Sequence, residues 1–117
     1  MNIEAELKST KPMAPHQRAL LNILFTASWL NCQLQRHLRN FHLTLPQYNI
    51  LRILNGSPQG LSVLDIKGRM LDRSSNVSRL VEKLRESGYV DRIADKGDRR
   101  MVIVSLSESG KTLLANI

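Results

Sequence analysis

Residues 73–79, Arg-Ser-Ser-Asn-Val-Ser-Arg, bring hydroxyls, an amide and two guanidinium groups into one short stretch. Asn pairs with adenine edges, Arg with guanine edges, and serine hydroxyls serve bases or phosphates. A second cluster, "DKGDRR" at 95–100, places two acids and three bases in six positions, just before the alternating run "MVIVSL". Side chains of this kind bind a charged polymer through charge-assisted hydrogen bonds.

Catalytic chemistry has no comparable foothold. There is no Gly-rich phosphate loop, no pair of carboxylates in a recognisable setting and no nucleophile beside a base. His16, His37 and His42 match no metal-ligand spacing, and Cys32 has no second cysteine for a disulfide or a zinc site. No catalytic residue, metal or cofactor is therefore expected, and Cys32 is expected to pack as a buried apolar residue in a reducing compartment.

Lys and Arg number 17 against 10 Asp and Glu, a formal charge of +7 with a pI near 10.2, which favours a polyanionic partner. Nucleic acid is the first candidate and an anionic membrane surface the second. The opening residues lack the apolar run of a signal peptide, and no later run approaches a membrane span. A cytoplasmic protein with no membrane partner is expected.

The elements that position these residues follow from periodicity and punctuation. Residues 1–14 are polar, with Pro12 within them and Pro15 directly after, so they are expected to form a flexible arm ahead of one domain at 15–117. Residues 15–41 lack internal breakers and form one long helix with two apolar stripes. Leu20, Ile23, Leu24, Ala27, Leu30, Leu34, Leu38 and Phe41 suit the domain core. Leu21, Phe25, Trp29 and Cys32 make the second stripe, which either meets a second subunit or is covered by the N-terminal arm or C-terminal helix of its own chain.

Thr44 with Gln47 reads as a capping box, Pro46 sits in the first turn, and Gly56 closes that helix. Ser62 with Asp65 starts the next helix, preceded by a very short strand at 60–62. After a polar turn comes a helix with Val77, Leu80, Val81 and Leu84 inward and Gly88 as its stop. Strands "YVDRIA" and "RMVIVSL" then flank a turn at Gly97. The fold predicted is mainly α with a small β-hairpin wing: a winged helix-turn-helix whose long N-terminal helix serves dimerisation.

Three stretches resemble the MarR family of bacterial transcription regulators over roughly residues 15–115. Asp98-x-Arg100 leading to Leu106-Ser107-Glu108-x-Gly110 is similar to its D-x-R…L-[ST]-x-x-G signature. Ser78, Arg79, Leu80, Val81, Leu84, Gly88, Tyr89, Val90 and Arg92 follow its recognition-helix pattern. "LTLPQYNILRIL" resembles its second helix. Family members close their dimer with two C-terminal helices, whereas this chain stops ten residues after Ser107; a chain truncated within its fifth helix, or a dimer built on the first helix and a stub, is expected.

The resemblance implies a homodimer on double-stranded DNA, acting as a repressor at a palindromic operator, with a small-molecule effector as a further partner. Ser74, Ser75, Asn76, Ser78 and Arg79 would enter the major groove with Lys83 at the backbone; Ser74 serves equally well as an N-cap. Lys67, Arg69 and Arg73 would meet phosphates or stand as solvated helix charges. In the wing, Arg100 would enter the minor groove, Arg99 reach a phosphate, Asp98 orient an arginine and Lys96 add a point charge. The competing reading makes the tip a solvated device against edge aggregation, and the whole domain a winged helix that binds protein or RNA.

The minor-groove role has a direct consequence. Arg100→Ala is expected to lose more affinity on duplexes flanked by A·T tracts than on G·C-flanked ones, because narrow grooves concentrate negative potential. Titration against two duplexes differing only in their flanks measures this, and equal affinities of variant and parent on both would leave the solvated tip.

Overall fold

The computed structural model describes Ile3, Leu7, residues 12–94, Gly97 and residues 101–117. Two compact units divide the chain, Met1–His37 and Leu38–Ile117.

In the first unit the Leu7 amide donates to the Ile3 carbonyl at 3.0 Å, and Ile3 is buried. Helix α1, Pro15–Arg39, has all but its last two residues in this unit. The stripe expected to serve the core is mostly uncovered: Leu20, Ile23, Leu24 and Leu30 are 54–67% exposed. Leu21 and Phe25 of the other stripe are half-buried, while Trp29 and Cys32 are exposed. The expectation of a buried Cys32 is thus corrected. Periodicity says which residues share a face, not what covers it. A 25-residue helix, about 37 Å long at 1.5 Å per residue, carries more apolar surface than one short unit can hide.

The second unit opens at Leu38, which is fully buried. The His42 amide donates to Arg39 at 3.1 Å and the Leu43 amide to Leu38 at 3.2 Å, closing α1 with His42 in the left-handed region at φ 57°. The helix therefore ends two residues before Phe41, on a residue type that tolerates positive φ, without the glycine that would mark the stop.

Helix α2, Leu45–Asn55, begins on the expected capping box. The Thr44 amide donates to Gln47 Oε1 at 2.9 Å, and the Gln47 amide returns to Thr44 Oγ1 at 3.3 Å. Strand β1 is only Leu61–Ser62, and Ser62 Oγ also caps helix α3, Val63–Arg69, through the Asp65 amide at 3.1 Å. Helix α4, Val77–Glu86, is followed by strands β2, Val90–Ala94, and β3, Val102–Leu106, then helix α5, Glu108–Ala115.

The three strands form an antiparallel sheet in the order β1-β3-β2, with Leu61 and Arg92 both opposite Val104. Ile50, Leu51 and Leu54 of α2, Ile66 of α3, Val77, Val81 and Leu84 of α4, and Val90 and Val104 of the strands make the buried core. The expected winged helix is this second unit.

Helix α4 ends in a tight reversal. Gly88 at φ +84° donates to Arg85, and Tyr89 donates to Leu84, each at 3.0 Å, so two last-turn carbonyls are satisfied. Ser107 then fastens this corner to the far end of β3. Its hydroxyl donates to the Gly88 carbonyl at 2.6 Å and accepts from the Gly110 amide at 3.1 Å. A Cβ at Gly110 would run into the Tyr89 carbonyl and the Leu106 side chain.

Ser107→Ala is expected to cost about 1 kcal/mol as a lost cap, and Gly110→Ala about 1–3 kcal/mol by overpacking. Urea unfolding midpoints measure both; a parental midpoint in Gly110→Ala would mean that α5 can back away from Tyr89 freely.

Candidate nucleic-acid interface

Helices α3 and α4 and the turn between them bring most of the polar candidates together. Lys67, Arg73, Ser74, Ser75, Asn76 and Ser78, with Val63 and Val77 beneath, line one depression of about 270 Å³. Apart from the half-buried Ser75 these polar residues are exposed. The turn itself is braced from behind: Asn49 Oδ1 on α2 accepts from the Leu71 amide at 2.9 Å. Nothing in the sequence marks Asn49 for this task, because its partner lies 22 residues away.

The two readings of Ser74 are resolved against capping. Asn76 is the N-cap of α4, its Oδ1 accepting from the Arg79 amide at 3.2 Å. Ser74 turns back instead, donating from both its amide (2.9 Å) and its hydroxyl (2.6 Å) to Asp72 Oδ1. These bonds, the hydroxyl first, hold the Asp72 carboxyl below its ordinary pKa. The Asp72–Ser74 contact is therefore present at neutral pH and fades as the pH falls through the carboxylate range.

Arg79 and Lys83 are exposed further along α4, and neither side chain has a partner among the described residues. The same holds for Lys67 and Arg73. Arg69 is not brought to this group. Its Nη1 donates to Ser57 Oγ at 3.3 Å, and it lines a separate depression with residues 56–61.

An ion-pair cluster on α4 went unassigned in the sequence. Glu82 accepts from Arg85 with both oxygens, from Nη2 at Oε1 and from Nε at Oε2 at 3.1 Å, and Oε2 also accepts from Arg92 Nη1 at 2.7 Å. The Arg85 hydrogen bond is the main cause that lowers the Glu82 pKa, with the charges of Arg85 and Arg92 adding to it. Spacing of three along a helix makes the first pair legible. The second joins α4 to β2 and depends on the fold. All three side chains are partly exposed, so the cluster orients rather than stabilises.

Lys96, Asp98, Arg99 and Arg100 lie outside the described residues. The strands that carry them are in register up to Ala94 opposite Val102. Among the described residues no group of three or more His, Cys, Asp or Glu could hold a metal, and no helix is long and apolar enough to cross a membrane.

A family model described as the MarR family matches residues 42–101, more than half of the chain. The chain belongs to the MarR family. Among curated relatives, this MarR-family chain is 37% identical over 76 residues to the HTH-type transcriptional regulator TtmR of Methylorubrum extorquens, covering 65% of this chain and 38% of that one. Its fold matches a MarR transcription factor from Planctomyces limnophilus at a TM-score of 0.74 and 28% identity, covering 91% and 77% of the two chains. A MepR variant from S. aureus bound to an oligodeoxyribonucleotide matches at a TM-score of 0.67 and 27% identity, covering 80% and 70%. The chain spans less than half the length of the curated relatives it matches.

Asn49→Ala is expected to cost about 1 kcal/mol by leaving the Leu71 amide without its partner. Hydrogen exchange checks it locally: the Leu71 amide should lose protection while the Val81 amide, deep in α4, keeps it.

Proposed function

We propose that this protein is a homodimeric transcription regulator that binds a palindromic DNA operator and represses the genes behind it. One observation carries this: hydroxyls, an amide and unpartnered cations crowd the exposed start of α4 and the adjoining face of α3, in a chain of net charge +7. Family membership supplies the context, and the oligodeoxyribonucleotide bound to the MepR variant supports the class of ligand.

In this reading Ser74, Ser75, Asn76, Ser78 and Arg79 meet base edges in the major groove, and Lys67, Arg73 and Lys83 meet phosphates. Arg69 joins them only by leaving Ser57. Lys96, Asp98, Arg99 and Arg100 work at the flanking minor groove. The apolar residues that α1 exposes, Trp29 among them, are covered by a second copy together with the half-buried Leu21 and Phe25 and with Cys32. A two-fold dimer places two α4 helices about one DNA turn apart, which is why a palindrome is the expected operator. Family membership also makes a small-molecule effector the partner to test next. The domain proper is residues 15–117, with 1–14 as its arm.

Selection of bound sequences from random duplex DNA, followed by titration at several salt concentrations, tests the reading. A palindrome should emerge and affinity should fall steeply with salt. Arg79→Ala should lose about 1–3 kcal/mol on the selected duplex and less on a scrambled one. Lys83→Ala should weaken both alike. Sedimentation should give a dimer that Phe25→Ser with Trp29→Ser converts to monomers. A monomeric parent that binds all duplexes equally would overturn the proposal.

A further inference from the structure

The start of α4 is asymmetric in the hydrogen bonds it has left to give. The Asn76 amide has one acceptor end and one donor end. Because the group it faces inside the helix is the Arg79 N–H, and a nitrogen of the amide cannot accept, Oδ1 is the end turned inward. Oδ1 has two lone pairs, of which the Arg79 N–H takes one, but with Oδ1 turned inward the end left toward an external partner is the NH₂ group with its two donors. Arg79 is also a donor only. Ser74 is the converse: its single hydroxyl hydrogen lies toward Asp72, an ionised carboxylate that can only accept, so lone pairs alone face outward.

We infer that these local bonds set the specificity of the reading end, with Asn76 and Arg79 selecting base edges that accept and Ser74 selecting an edge that donates. The inference rests on the DNA-binding reading above and goes beyond it by naming which edges are chosen. An unconstrained Asn favours adenine, accepting from N6 while donating to N7. The capped Asn76 presents its NH₂ group outward, and the paired contact with adenine would need Oδ1 turned outward from the Arg79 amide. Facing adenine, its NH₂ group meets the N6 donor beside N7. Facing guanine it meets O6 and N7, both acceptors, and facing thymine it meets O4. The base read by Asn76 is therefore guanine or thymine, with adenine disfavoured. Ser74 needs an exocyclic amino group, which only cytosine N4 and adenine N6 present in the major groove.

The cap and the reading function separate by substitution. Asn76→Ser and Asn76→Asp both keep a good N-cap, so thermal unfolding should match the parent for each. Asn76→Ser removes the donors, and random-duplex selection should show the preference at one position per half-site flattened by roughly tenfold. Asn76→Asp presents oxygens only, so at that same position the preference should move to cytosine or adenine, with weaker binding overall. Ser74→Ala should flatten a different position, one at which the parent selects cytosine or adenine.

Adenine selected by the parent at the position that Asn76→Ser flattens overturns the inference, since the amide must then have turned out of its cap. So does a parental base profile in Asn76→Ser. In either case a selected, salt-sensitive site leaves the DNA-binding reading standing. A parent that enriches no sequence at all sinks both.

Discussion

The Ser107 hydroxyl holds together four element ends: the end of α4, the start of β2, the end of β3 and the start of α5. A hydroxyl has one hydrogen to give and lone pairs to receive. Here the hydrogen goes to the Gly88 carbonyl and a lone pair takes the Gly110 amide. One side chain thus satisfies a carbonyl just past one helix and an orphan amide of the next, groups that would otherwise need water or another partner. The arrangement requires glycine at both contacts, for different reasons. Gly88 is in the left-handed region, and Gly110 lets α5 approach Tyr89 without a side chain between them. A serine and a glycine three residues apart, after the last strand, are the visible trace of this joint.

Because the joint sets where α4 stops and where β2 begins, it also sets what lies beside what on the exposed face. Glu82 on α4 comes within reach of Arg92 on β2, and one carboxylate serves both that arginine and Arg85. At the other end of α4, the turn from α3 is held by Asn49 from behind and by Asp72 with Ser74 from within. Helix α4 is thus constrained at both ends by polar contacts and along its inner side by Val77, Val81 and Leu84. Such a helix meets a ligand with little left to order, which lowers the entropy lost on binding.

Local chemistry was legible in the sequence, and relations between distant segments were not. Thr44 with Gln47, Ser62 with Asp65 and the Gly88 stop declare themselves because the interacting groups lie within a few residues of one another. The end of α1 was missed by two residues because His42 takes a conformation that no glycine announced. Ser74 was weighed as a cap, yet Asn76 does that work. The sequence "RSSN" offers several side chains able to cap, and the choice depends on Asp72 capturing Ser74. The bracing by Asn49 and the Glu82–Arg92 pair span 22 and 10 residues, beyond any local pattern. On α1 periodicity assigns the apolar residues to faces but not their cover: in the stripe expected to serve the core only Leu38 is buried, and in the other Leu21 and Phe25 are half-buried while Trp29 and Cys32 are exposed.

Charge at the start of α4 is arranged around the same local bonds. Both acids nearest to it on the turn and on α4 are engaged: Asp72 by Ser74, and Glu82 by two arginines. The Glu82 charge is countered by its two arginines, whereas Asp72, bonded to neutral donors, stays ionised beside Arg73. Lys67, Arg73, Arg79 and Lys83 have no partner among the described residues, so on this face their positive charges outweigh the negative charge of Asp72. The resulting field draws in a polyanion from a distance and does so less at high salt. It does not distinguish one base from another, since every phosphate looks alike to it. In the proposed reading, discrimination falls to the few side chains whose hydrogen-bonding ends the fold assigns, and Asp72, by taking the Ser74 hydroxyl hydrogen, assigns one of them.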